Sequence, residues 1–143
     1  MLNKLIILCI ILLAFFLFFN KKSVSKSRQP AKDNLGNKVE IISYSGEYVT
    51  LSANAVKGGI TVFDFYADWC GPCQNLSSQL DPYVKSSKGV YIRKINIKNW
   101  DSPVAKAYNI ESIPSVWIYN QNGEEVSTRL NGFEKIKEAV EKL

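Results

Sequence analysis

Phe63-Asp64-Phe65-Tyr66-Ala67-Asp68-Trp69-Cys70-Gly71-Pro72-Cys73 is the stretch from which the rest of the chain can be read. Its first half belongs to Ile60–Tyr66, an apolar and β-branched run broken only by Asp64. That pattern predicts a strand buried on both faces. After the cysteines, Leu76, Leu80, Tyr83 and Val84 recur at helical spacing, so residues 74–86 read as a helix that Pro82 should kink or end. Strand, Cys-x-x-Cys and helix in succession put Cys70 where unpaired backbone N–H groups and the positive helix end meet. Both stabilise a thiolate and lower the thiol pKa. Cys73 falls one turn further on, close enough to close a disulfide with Cys70. Gly71 leaves the turn uncrowded, and Pro72 opens a helix without needing its N–H. The pair suits thiol–disulfide exchange through a mixed disulfide. Two other readings compete. A metal centre needs about four ligands, and the chain has three cysteines and no histidine. A structural disulfide across a two-residue gap would constrain the unfolded chain very little.

Outward from this centre, residues 39–43 and 47–51 read as short strands joined by a turn at Tyr44-Ser45-Gly46. Residues 90–97 alternate as a strand. Asp101-Ser102-Pro103 supplies a capping residue and then proline at the first helical position, for a helix to about Tyr108. Residues 116–119 form another strand, Gln121-Asn122-Gly123 a hairpin turn, and residues 124–130 the returning strand. Residues 133–143 close the chain as a helix with Phe133, Ile136, Val140 and Leu143 on one face. This order argues for an α/β fold, a central mixed β-sheet flanked by helices on both faces.

Length and composition limit the function. A chain of 143 residues holds one domain. The absence of histidine excludes Ser-His-Asp and Cys-His catalysis and histidine-ligated zinc or haem. The net charge of +5 is not spread evenly. Residues 1–32 hold six basic and no acidic side chains, while the remaining 111 hold 12 basic and 13 acidic ones. The folded part is therefore nearly neutral, which argues against a nucleic-acid partner.

The basic residues flank residues 5–19, a run of 15 with no charge or strong polar group. A signal-peptide core spans about 7–15 apolar residues and a membrane span about 20, so residues 1–22 fit a signal-anchor or a cleaved signal peptide. Lys4 and Lys21 extend the reach of a short anchor by snorkelling. Cys9, inside this run, reads as a small apolar side chain in lipid. Residues 23–38, rich in Lys, Ser, Asn and Gln, read as a flexible linker to a domain over residues 39–143.

The segment from Phe63 to Cys73 resembles the active site of the thioredoxin family. The likeness continues at Ile113-Pro114, 44 residues after Cys70, where the family carries a cis-proline. Lys94-Ile95-Asn96-Ile97 is similar to the family's third core strand, and Asn122-Gly123 and Gly132 fall at its late turn and at a glycine beside the substrate groove. The resemblance implies a thioredoxin fold and a protein-disulfide reductase. Cys70 would attack and Cys73 resolve, with the redox-active Cys70–Cys73 disulfide in place of a cofactor. Asp64 matches the family's buried acid, which moves the proton of the resolving cysteine, and Lys94 matches the lysine that approaches it. An acid in an apolar strand should also have a raised pKa. Trp69, Gly71, Pro72, Ile113, Pro114 and Gly132 would meet the substrate.

Three features depart from the family. Tyr66 replaces a usual tryptophan. Lys98 replaces an acid and is followed by Asn99-Trp100. Residues 46–49 look like the hairpin of membrane-anchored bacterial members. Gly-Pro between the cysteines is the pair of reducing members, which favours a reductase over an oxidase or isomerase; a non-catalytic binding module is the third reading. The chain carries no flavin or nicotinamide motif, so electrons should come from a partner reductase to a monomer that reduces protein disulfides. The positive flank points to a cytoplasmic domain. The resemblance to anchored members points to an extracytoplasmic one.

Overall fold

The structure is a computed structural model and describes residues 38–143. The expected signal-anchor and nearly all of the expected linker lie outside the described residues. Among the described residues no helix is long and apolar enough to cross a membrane. Lys38, the last residue of the expected linker, is hydrogen-bonded to the domain: its carbonyl accepts from Ile92 N at 2.7 Å and its Nζ donates to the carbonyls of Ser87 and Val90.

The chain runs β1 (Val39–Ser43), α1 (Leu51–Asn54), β2 (Ile60–Tyr66), α2 (Gly71–Ser86), β3 (Val90–Asn96), α3 (Pro103–Ala107), β4 (Ser115–Tyr119), β5 (Glu125–Leu130) and α4 (Phe133–Glu141). The sheet order is β1-β3-β2-β4-β5. β1 and β2 lie parallel to β3, β4 is antiparallel to β2, and β5 is antiparallel to β4. The sheet is thus mixed, with β2 at its centre, and β2 is buried over its first six residues as its run of apolar side chains requires.

Alternation along β2 divides the core in two. Phe63 and Phe65 pack with Leu51, Cys73, Ile95, Ile97, Val104 and Ala105, under α1 and α3. Val62 packs on the other face with Ile92, Val116 and Ile118, covered by Leu76, Leu80 and Val84 of α2 and Ile136 and Val140 of α4. Asp64 shares the parity of Val62 and so points to the α2 face. Tyr83 meets Phe133 edge-on at 5.7 Å and joins the two helices there. Leu143, expected on the apolar face of α4, lies past the helix end and is exposed.

Pro82 neither ends nor visibly interrupts α2, which continues to Ser86. The proline is exposed, and Leu80 and Val84 on either side of it are fully buried. Anchoring on both sides holds the helix through the missing hydrogen bond. Ser102 caps α3 as expected, its Oγ accepting from Ala105 N at 3.3 Å.

The expected second strand, residues 47–51, does not form, and the turn before it is no hairpin. β1 pairs with β3 and remains at the edge of the sheet, with no strand returning along its outer side among the described residues. Glu47 folds back to accept from Tyr44 N at 3.0 Å and Ser45 N at 2.8 Å. Gly46, at φ 83°, then turns the chain toward α3, and its carbonyl accepts from Val104 N at 3.1 Å. Tyr108 holds the next residues, its hydroxyl donating to Val49 O at 2.7 Å and accepting from Leu51 N at 3.1 Å. A Cβ at position 46 would sit 2.7 Å from Ser102 Cβ and 2.9 Å from the Ile97 carbonyl oxygen. Gly46→Ala combines that clash with a left-handed backbone, and should destabilise the fold by about 2–3 kcal/mol in denaturant unfolding.

Candidate active site

The centre forms where β2 ends and α2 begins. Cys70 is the N-cap of α2 and Cys73 lies in its first turn. The two are disulfide-bonded, with a Cα–Cα distance of 5.2 Å. Cys70 Sγ accepts from Cys73 N at 3.2 Å, and the Cys70 carbonyl accepts from Cys73 N and Gln74 N. In the reduced state the same helix end would face a Cys70 thiolate with N–H groups and the positive dipole end. Cys70 is 5% exposed and Cys73 only 1%, so the first cysteine is the one an incoming disulfide reaches. Gly71 and Pro72, both exposed, leave that approach open.

Beside the disulfide lies a groove of about 370 Å³ lined by Trp69, Cys70, Gly71, Pro72, Trp100, Glu111, Ser112 and Ile113. Trp69, Gly71, Pro72 and Ile113 thus stand where the sequence placed them. Pro114, joined to Ile113 by a cis peptide bond, and Gly132 are not among the lining residues. Gly132 instead caps α4 with φ 85° and has open space around it. Trp69 is exposed, and its ring is fixed by Nε1 donating to Lys98 O at 2.7 Å. Lys98 adopts φ 62°, its N–H donating to Asn96 Oδ1 at 2.8 Å and its Nζ reaching Asp68 at 3.4 Å. Asp68 also accepts from Asn96 Nδ2 at 2.9 Å, and that bond together with Lys98 holds its carboxyl below the usual range.

Asp64 is fully buried, and neither carboxyl oxygen has a hydrogen-bond partner. Burial pushes its pKa up to about 7; the Lys94 charge works against this and the Asp81 charge with it. Lys94 is its register neighbour on β3. The lysine nevertheless does not bond to Asp64: Nζ sits 2.8 Å from Asp81 Oδ1 and donates to Ser77 Oγ at 3.0 Å, both on α2. Lys94 thus lies next to Asp64 and acts on it through its charge, without a hydrogen bond between them. The α2 acceptors claim its ammonium and leave the buried acid without a hydrogen-bond partner.

Trp100, Glu111 and Ser112 also line the groove, and sequence reasoning had singled out none of them for the site. Only Trp100 carried a signal, as part of the unusual Asn99-Trp100 loop.

Comparison with known proteins agrees with this geometry. The family model for thioredoxin matches residues 50–142. The chain belongs to the thioredoxin family. It is 37% identical to the thioredoxin of Chlamydia caviae over 68 residues, 48% of this chain and 65% of that protein. It is 36% identical to the thioredoxin of Streptomyces clavuligerus over 80 residues, 55% of this chain and 73% of that protein. Among solved structures, Trichomonas vaginalis thioredoxin superposes with a TM-score of 0.61 at 27% identity, over 74% of this chain and 97% of that one. A thioredoxin domain thus carries the disulfide, the groove and the buried acid.

Proposed function

We propose that the protein is a thiol–disulfide oxidoreductase that reduces disulfides in protein substrates. The observation that carries this is the Cys70–Cys73 pair at the N-terminus of α2, bordered by an open groove. In the reduced protein the Cys70 thiolate attacks one sulfur of a substrate disulfide, and the other sulfur leaves as a thiolate. Cys73 then attacks Cys70 Sγ and releases the second substrate thiolate. Two electrons pass to the substrate, and Cys70–Cys73 is left oxidised. Cys73 must lose a proton to attack, and an Asp64 carboxylate with a pKa of about 7 is suited to take it near neutral pH. The exposed edge of the groove at Ile113 offers backbone to an extended substrate. The cycle restarts when a partner reductase returns two electrons, so the domain needs no bound cofactor and works as a monomer.

The apolar run of residues 5–19 supports a membrane anchor, and the resemblance to anchored family members, against the positive flank, favours a domain on the extracytoplasmic side, where exposed thiols need a dedicated reductant. Two experiments test the proposal. The purified domain with dithiothreitol as donor should turn over many equivalents of a protein disulfide; net oxidation of substrate dithiols would establish an oxidase instead. In intact cells expressing Cys9→Ser, a membrane-impermeant maleimide should label the protein. Labelling only after lysis would put the domain in the cytoplasm.

A further inference from the structure

Trp69 is 56% and Trp100 47% exposed, and their rings meet edge-on at 5.8 Å along one wall of the groove that borders Cys70. Two large apolar side chains held open to water beside a reactive sulfur mark a contact surface. The loop that presents Trp100 is rigidly built. Lys98 turns it in a left-handed conformation while accepting from Trp69. Asn99 Oδ1 accepts from Asp101 N at 3.0 Å, Asn99 O accepts from Ser102 N at 3.3 Å, and Ser102 then caps α3. Neither ring therefore has to be ordered when a substrate arrives, which lowers the entropic cost of binding.

Charge around the groove is equally one-sided. Glu111 is the only ionisable side chain among the lining residues apart from the cysteines. It is exposed, and Oε1 accepts from Asn109 Nδ2 at 3.3 Å. Lys98 pairs with Asp68 and Lys106 with Asp101, and Arg129 donates to Asn109 O at 2.9 Å. The groove thus offers an aromatic wall and a single acidic side chain, Glu111.

We propose that Trp100 and Glu111 select the substrate: an extended polypeptide disulfide in which the cysteine is flanked by an aromatic or large aliphatic residue and by a basic one. The apolar residue packs on the Trp100–Trp69 wall and the basic one lies at Glu111. This selection rests on the exchange chemistry proposed above for Cys70 and Cys73.

The test uses a panel of short peptide disulfides that differ only beside the cysteine, with Trp or Ser at one neighbour and Lys or Glu at the other, in both orders. The full chain is assayed with dithiothreitol as donor, and kcat and KM are read separately. The wild type should favour Trp over Ser by about five- to tenfold and Lys over Glu by about threefold, mainly through KM. Trp100→Ala should shrink the first preference to about twofold, and Trp100→Phe should keep most of it. Glu111→Gln should remove the second preference and leave the first, and added salt should mimic it. Each preference is a ratio within one protein preparation, so a loss of folded protein cancels. Turnover of all peptides with no preference, or with preferences that survive both substitutions, overturns the selection while leaving the exchange reading intact. A wild type that reduces no peptide and no protein disulfide overturns the exchange reading itself.

Discussion

Cys70→Ser should abolish disulfide reduction, whereas Cys73→Ser should stop the reaction after one step with the substrate covalently attached. The argument lies in how differently the two sulfurs are placed. Cys70 is the helix cap, its Sγ meets the Cys73 N–H, and it borders the open groove. An attacking thiolate there gains from the helix end, and a serine hydroxyl stays protonated at neutral pH and cannot replace it. The loss should be at least about a thousandfold in kcat/KM. Cys73 is 1% exposed and packs in the core beneath Phe65 and Ala67. It does not meet substrate directly; its partner is Cys70. Without it the mixed disulfide forms and has no internal thiol to resolve it, so a stable adduct should appear on a non-reducing gel, in one-to-one ratio, and vanish with dithiothreitol. If the cysteines were incidental to a binding module, both variants would keep full biological activity and no adduct would form. A structural disulfide would show a different pattern again, with both variants equally destabilised and neither trapping substrate.

Residues 60–73 made the centre of this protein legible. A short, β-branched and apolar run broken only by Asp64 favours a buried strand, and a proline two residues after the first cysteine suits the opening of a helix, so β2, the N-cap at Cys70 and α2 followed from local chemistry. Ser102-Pro103 located α3 in the same way. What escaped was decided by distant partners. Residues 47–50 have a strand-like composition, yet the Glu47 turn and the bonds of Gly46 to Val104 and of Val49 to Tyr108, more than fifty residues later in the chain, draw them toward α3 instead of back along β1. Pro82 breaks an isolated helix, and only burial of Leu80 and Val84 carries α2 past it. Lys94 and Asp64 lie side by side in register, as the family resemblance implied, but Asp81 and Ser77 on α2 draw the ammonium to themselves. Glu111 and Ser112 reach the groove only because the loop before β4 folds over Cys70, and no local pattern announces that.

The buried acid leads to the second large effect. Asp64→Asn should leave stability unchanged in acid and raise it increasingly as pH climbs to about 7. The carboxyl is fully buried with both oxygens unpartnered, and burial lifts its pKa from 3.8 to about 7 against the opposing charge of Lys94. The unfolded chain therefore gives up this proton near pH 4, while the folded chain keeps it until about 7. Between those values the folded state binds more protons than the unfolded one, so stability falls as pH rises, and above about 7 the loss is complete and constant. Three pKa units correspond to about 4 kcal/mol, a large share of a domain's usual stability. Asparagine has the same shape and no charge to desolvate, so it escapes the loss. Urea unfolding of both proteins at pH 4, 6 and 8 measures the gap; a constant difference across that range would show that the carboxyl is not held protonated by burial. The same substitution should slow resolution of the mixed disulfide by about tenfold or more and remove its pH dependence near 7, because on the proposed mechanism the group that accepts the Cys73 proton is gone. Gain in stability and loss of rate from one substitution would separate this acid from a packing residue, whose replacement lowers stability without changing a pH profile. A buried carboxyl without a hydrogen-bond partner is a cost to the fold, and a proton-transfer role of the kind proposed is one that would offset it.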